Sequence, residues 1–250
     1  MSGVRAAVLA AVVLAVAAGA AAVEVVPTEI TSFGASAEGQ AVPTGWRSTT
    51  VPGVSRTTTY RVVTVEGRKV VHGEARAAMS GLDHRVSADP ERTPWLHWRW
   101  KVSRSVRGGE AGSRAGDDYS ARVYVFFDYD LARLGFAARM KVKAARLLHG
   151  DAVPAAALCY VWDAARPAGT VVPSAYTDRV RMIVVDSGDA QAGRWIAHAR
   201  NVAEDFTRAF GESAPRVSGV AIATDTDNTG DAVEAWYGEL RFDADGVAGR

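Results

Sequence analysis

Alternating apolar and polar positions dominate this chain, and they mark strands far more often than helices. The clearest run is Trp95 to Val102, WLHWRWKV, where period two places Leu96, Trp98, Trp100 and Val102 on one face and Trp95, His97, Arg99 and Lys101 on the other. The first set predicts a core face, the second a face toward water or a ligand. A second run, YSARVYVFFD, places Tyr119, Ala121, Val123, Val125 and Phe127 opposite Ser120, Arg122, Tyr124, Phe126 and Asp128. Both of its faces carry bulk, which predicts a central strand covered on both sides. Ala155 to Trp162, Arg179 to Val185 and Val217 to Thr224 read as further strands, and YRVVTV before Gly67 reads as the first arm of a hairpin.

Helical spacing occurs in two places. Leu131 to Leu148 spaces Leu134, Ala138, Val142, Ala145 and Leu148 along one side, with Arg133, Arg139, Lys141, Lys143 and Arg146 on the other, and Gly150 is placed to end it. A basic amphipathic helix can pack on its own sheet or make weak contact with a membrane surface. The second helix has Asn201 as N-cap, Glu204 as capping-box partner, Val202, Phe206 and Phe210 on one face and Gly211 as its stop. About eight strands with two helices in the connections predict a mainly β protein, an antiparallel β-sandwich of jelly-roll, galactose-binding-like type. A parallel α/β sheet would need helices between most strands.

Composition refines this picture at the N-terminus. Arg5, the Ala/Val/Leu run from Ala6 to Ala18 and the small residues Gly19 to Ala22 form a signal-peptide pattern, with cleavage expected near Ala20 or Ala22. The expected location is therefore periplasmic or secreted, the alternative being a retained anchor. After this segment come an irregular lead-in over 23–42, one sandwich domain over 43–243 and a polar, disordered tail over 244–250. The loop Ser103 to Gly116, with four glycines, is expected to be exposed and mobile. Without Arg5 the 29 basic residues become 28, matching the 28 acidic ones, so a broadly basic nucleic-acid-binding surface is excluded. The single cysteine, Cys159, lies in the apolar run AAALCYVW and is expected to be buried and inert.

Candidate chemistry concentrates near the C-terminus. DTDNTGD, Asp225 to Asp231, matches the opening of a calcium loop at Asp225, Asp227 and Gly230. Thr229 replaces the third ligand, and Trp236 stands where a bidentate glutamate is required, so an EF-hand is excluded. Three readings remain open: a calcium site drawing on Asp225, Asp227, Asn228 and Asp231, a direct ligand-binding or catalytic role for the acidic turn, or a tight turn whose side chains cap backbone amides. Asp118, Asp225 and Glu239 are the candidate catalytic carboxylates for paired acid/base work on a glycoside. Arg99, Arg122, Arg179 and Arg181 supply forked donors for hydroxyls or anions, and Tyr124, Tyr160, Trp162 and Tyr237 supply rings that stack on sugars. No nucleophile elbow, zinc-binding helix or phosphate-binding glycine loop is present in the sequence.

The ordered segments PWLHWRWKV, GDDYSARVYVFFD, LCYVWD, YTDRVRMIVVDSG, RNVAEDFTRAFG and GVAIATDTDNTGDAVEAWYGELRF resemble the bacterial family called domain of unknown function 3047, roughly from Pro43 to Phe242. That resemblance implies an exported bacterial protein and assigns no activity or catalytic residue. The closing strands are also loosely similar to galactose-binding-like carbohydrate modules. The resulting expectation is a protein that binds a carbohydrate or other polar cell-envelope ligand on one sheet face. Its alternatives are a glycoside hydrolase or lyase and an envelope protein docking through its basic helix.

Overall fold

A computed structural model describes residues 27–51, 53–137, 139–140, 142–143 and 155–247. Residues 1–22, expected from the sequence to be a signal peptide, lie outside them. Two sheets pack face to face, with strands β1 (Arg47–Thr50), β2 (Thr59–Val65), β3 (Arg68–Arg76), β4 (Met79–Ala88), β5 (Trp95–Val102), β6 (Arg122–Phe127) and β7 (Ala157–Asp163). The chain continues through β8 (Val171–Pro173), β9 (Val180–Ser187), β10 (Ile196–Asn201), helix α1 (Val202–Phe210), β11 (Val217–Asp225), β12 (Ala232–Tyr237) and β13 (Arg241–Asp243).

The seven-stranded sheet has the order β1-β4-β11-β6-β7-β9-β8 and the other has the order β10-β5-β12-β3-β2, with β13 also paired to β5. All pairs are antiparallel except β7 with β9. The steps β1 to β2, β3 to β4, β4 to β5, β5 to β6, β9 to β10, β10 to β11 and β11 to β12 each change sheet. Such back-and-forth wrapping is how a jelly roll limits its exposed edges.

The strongest patterns form as the periodicity predicts. Leu96, Trp98, Trp100 and Val102 of β5 are buried in the sandwich, and β6 lies between β11 and β7 with Val123, Val125 and Phe127 in the core. The two sheets meet through aromatic pairs, Trp98 with Tyr160 at 5.1 Å and Trp100 with Trp162 at 6.3 Å between ring centroids. Glu66 and Gly67, with φ of 52° and 73°, turn β2 into β3 as the primed hairpin geometry requires.

In α1 the Asn201 side chain accepts from the amides of Ala203 and Glu204, and Gly211 closes the helix at φ 75°. Replacing Asn201 with Ala is expected to cost about 1 kcal/mol in urea denaturation. Of the other expected helix, Leu131–Arg133 forms a 3-10 turn and the described residues from 136 to 143 are helical, while 144–154 lie outside the description. Among the described residues no helix is long and apolar enough to cross a membrane.

The loop expected to be free is instead pinned. Arg104 binds Asp231 through both oxygens, the Ser105 amide donates to Asp189 at 2.6 Å, and Val106 and Ala111 are buried. Its glycines let it fold back over the sheet; they do not keep it loose. The start of the tail expected to be disordered is likewise held: Gly246 packs against the Trp95 ring, and the Asp245 carbonyl lies 2.9 Å from His97 Nε2, while 248–250 lie outside the described residues.

Candidate functional site

The residues singled out from the sequence divide into three environments. In the first, Arg122 and Asp225 find each other across 103 residues of chain. Arg122 Nε donates to Asp225 Oδ1 at 2.7 Å, its Nη2 binds Oδ2, and its Nη1 donates to the Tyr124 hydroxyl at 3.2 Å. The guanidinium lies 4.3 Å from the Tyr119 ring centroid, and both charged side chains are buried. Burial pushes the Asp225 carboxyl up to about 7 against the pull of Arg122, and it raises Asp117 and Asp227 as well.

Asp118, Asp225 and Asp227 place one oxygen each within 4.8 Å of one another. This set differs from the one expected for calcium. Asp231 is drawn away to Arg104 and the Arg107 amide, which hold its carboxyl well below the usual range. Asn228 donates to Asp118 at 3.1 Å and accepts from the Tyr176 hydroxyl at 3.2 Å. Asp118 also accepts from the amides of Asn228 and Thr229, so a carboxylate from another loop caps the turn. With both Asp225 oxygens on Arg122 and both Asp118 oxygens on the turn, a cation that needs six or more oxygens would have to break these bonds.

The second environment is the core and its margin. Tyr160, Trp162 and Tyr237 are at most 1 % exposed. Their polar atoms bind Asp205, the Gly188 carbonyl, and the Ala223 carbonyl with Thr224, respectively. Buried on every side, these three rings have no free face to offer a sugar. Arg179 and Arg181 lie on Phe210 at 5.2 and 5.3 Å from its centroid, and Arg181 donates to the Ala209 carbonyl in the last turn of α1. A helix C-terminus attracts cations, which accounts for Arg181, while Arg179 donates to the Ala155 carbonyl; neither has a carboxylate partner among the described residues. Cys159 is fully buried, and burial pushes its thiol up to about 12.

Only Arg99 and Glu239 of the residues chosen from sequence reach the third environment, the outer face of the smaller sheet. Register places Lys101 opposite Trp236, Trp236 opposite His72 and His72 opposite Arg61. Lys101 Nζ lies 4.4 Å from the Trp236 centroid and 5.4 Å from that of Trp195, and Trp236 stacks on His72 at 4.8 Å. Arg99 lies on Trp195 at 4.4 Å.

Beside this row opens a cleft of about 370 Å³ lined by Arg68, Lys69, His97, Arg99, Glu239 and Arg241, with Trp98, Ala197 and His198. Gly238 makes room for Arg99, because a Cβ there would stand 2.5 Å from Arg99 Cγ. Glu239 accepts from Ser32 Oγ at 2.7 Å and from the amides of Phe33 and Gly34.

Sequence reasoning had placed His97 and Lys101 on the outward face of β5 without assigning them a role. It missed Trp195 and Trp236. For Trp236 the signal was parity, since Glu234 and Trp236 share the outward side of β12 while Tyr237 points inward. Trp195 precedes β10, a strand too weakly patterned to be seen.

The family model described as Protein of unknown function (DUF3047) matches residues 44–241. The chain belongs to the DUF3047 family. No curated protein matches this DUF3047 chain. Among solved structures it is similar to the family 30 carbohydrate-binding module of the cellulosomal cellulase Cel9D-Cel44B of Clostridium thermocellum, at 10% identity and a TM-score of 0.38 over 87% of this chain and 97% of that one. The family 11 xylanase from Neocallimastix patriciarum is similar at 10% identity and a TM-score of 0.35, over 78% and 94% of the two chains. The native family 12 xyloglucanase from Bacillus licheniformis is similar at 9% identity and 0.36, over 88% and 98%.

Proposed function

We propose that this DUF3047 protein is exported and binds a saccharide on the outer face of its smaller sheet, in the cleft between β3, β5, β10 and β13. The observation that carries this reading is Arg99, half-buried on Trp195 at the wall of the cleft, with no carboxylate partner among the described residues. A forked donor held on an aromatic ring beside an open hollow matches a ring of C–H groups bearing hydroxyls. The volume suits a ligand of one or two sugar rings.

Binding fits the geometry better than hydrolysis. Paired-carboxylate glycosidases require two carboxyl groups facing each other across the scissile bond. Here Glu239 is the one carboxylate lining the cleft, and a backbone turn occupies it, while Asp118 and Asp225 are buried.

Glycan-array screening of the wild type, followed by titration of its best binder, tests the proposal. Trp195→Ala and Arg99→Ala are each expected to weaken binding about tenfold, with unchanged melting. A blank array, or a Trp195→Ala protein that binds like wild type, overturns it.

A further inference from the structure

We infer, building on the saccharide reading above, that the ligand of this cleft is acidic and presents a sugar carboxylate to Arg99 and Arg68. Arg68, Lys69, Arg99 and Arg241 line the cleft against the single carboxylate of Glu239. What matters is which of these charges are already committed. Glu239 is spent on Ser32, Phe33 and Gly34, and Lys69 Nζ is spent on the carbonyls of Gly34 and Ser36. Arg241 reaches Asp243 at 3.5 Å. Arg99 and Arg68 pair with no carboxylate among the described residues.

Arg99 is the more informative of the two. Leaving a half-buried guanidinium without a counter-ion costs solvation that its ring contact returns only in part. The neighbouring backbone is nonetheless shaped around it, since a Cβ at Gly238 would stand 2.5 Å from Arg99 Cγ. A second unsatisfied group sits alongside. His97 is 3 % exposed, and its Nε2 lies 2.9 Å from the Asp245 carbonyl, which can only accept; its buried Nδ1 has no partner among the described residues.

The cleft therefore offers excess positive charge, carried by Arg99 and Arg68. A neutral sugar would leave that charge uncompensated. A uronate supplies a planar carboxylate for the guanidinium fork, and its hydroxyls add polar partners.

Isothermal titration of the full mature chain with oligomers of polygalacturonate and with the same oligomers fully methyl-esterified separates charge from sugar shape. The acidic oligomer is expected to bind about 10- to 100-fold more tightly, with affinity falling as salt rises. Arg99→Ala should remove most of that preference, and Arg99→Lys should restore only part of it, because an ammonium lacks the fork. Arg68→Ala, at an exposed position, provides a second variant whose folding is not in question.

If methyl-esterified or neutral oligomers bind as tightly as the acid, the charge inference fails while saccharide binding stands. If no oligosaccharide of any kind binds, both fail. Equal binding of dextran sulfate and polygalacturonate, unaffected by Arg99→Ala, would mean general polyanion attraction and would also overturn the inference.

Discussion

Replacing Arg122 with alanine is expected to destabilise the protein by about 3–5 kcal/mol at pH 7.5, a large share of the 5–15 kcal/mol typical of a domain. The Arg122 fork occupies both oxygens of Asp225, and the same guanidinium binds the Asp117 carbonyl and the Tyr124 hydroxyl. Without it, the fully buried Asp225 carboxyl would remain beside Asp117, Asp118 and Asp227, forced to keep its proton or carry an unpaired charge and stripped of the fork's hydrogen bonds. The loss should appear as a lower urea midpoint followed by tryptophan fluorescence. Adding Asp225→Asn to the variant should recover part of the loss, because the two residues share one interaction. A cost below about 1 kcal/mol for Arg122→Ala would show that the pair is not a structural fastener and would reopen the corner as a binding site.

Stability should also fall as pH rises from about 5 to 7.5, on the order of 2 kcal/mol. The sign follows from Asp225, raised to about 7 in the fold by burial, whereas an unfolded aspartate titrates near 4. Between those values the unfolded chain has already lost the proton that the native chain still holds, so rising pH favours unfolding. Asp117 and Asp227, also raised by burial, act in the same direction. Asp231, held low by Arg104, and Asp189, held low by Ser105, act oppositely: their contribution is complete above the unfolded value and is lost in acid; His84, held low by burial, also opposes the fall as pH rises toward its unfolded value. A stability maximum near pH 5 is the combined expectation. Urea denaturation between pH 4.5 and 8 measures it, and Asp225→Asn should flatten the slope. Stability that climbs steadily from pH 5 to 7.5 would contradict this account of the corner.

The same corner shows what tertiary context adds to a motif. DTDNTGD has the composition of a cation loop, yet Asp225 turns inward to Arg122, Asp231 turns to Arg104, and the turn's amides are capped by Asp118 from over a hundred residues earlier. Side-chain type was legible at each of these positions. Partner identity was not, because it depends on which strands become neighbours. Arg179 and Arg181 make the same point: their spacing suggested an anion site, but the C-terminal turn of α1 packs where a ligand would have sat.

Local regularities were therefore enough to establish the β-sandwich class, the core faces of β5 and β6, the hairpin at Gly67 and the capped helix after Asn201. Each rests on spacing within about ten residues, and the burial of one face makes a one-residue slip in a strand costly. The tertiary structure alone decided the short strands β1, β8, β10 and β13, which lack alternation of their own and form because a neighbour offers free hydrogen-bonding groups. It also decided the cross-strand row of Lys101, Trp236, His72 and Arg61, since these residues come from four strands and are brought side by side only by register.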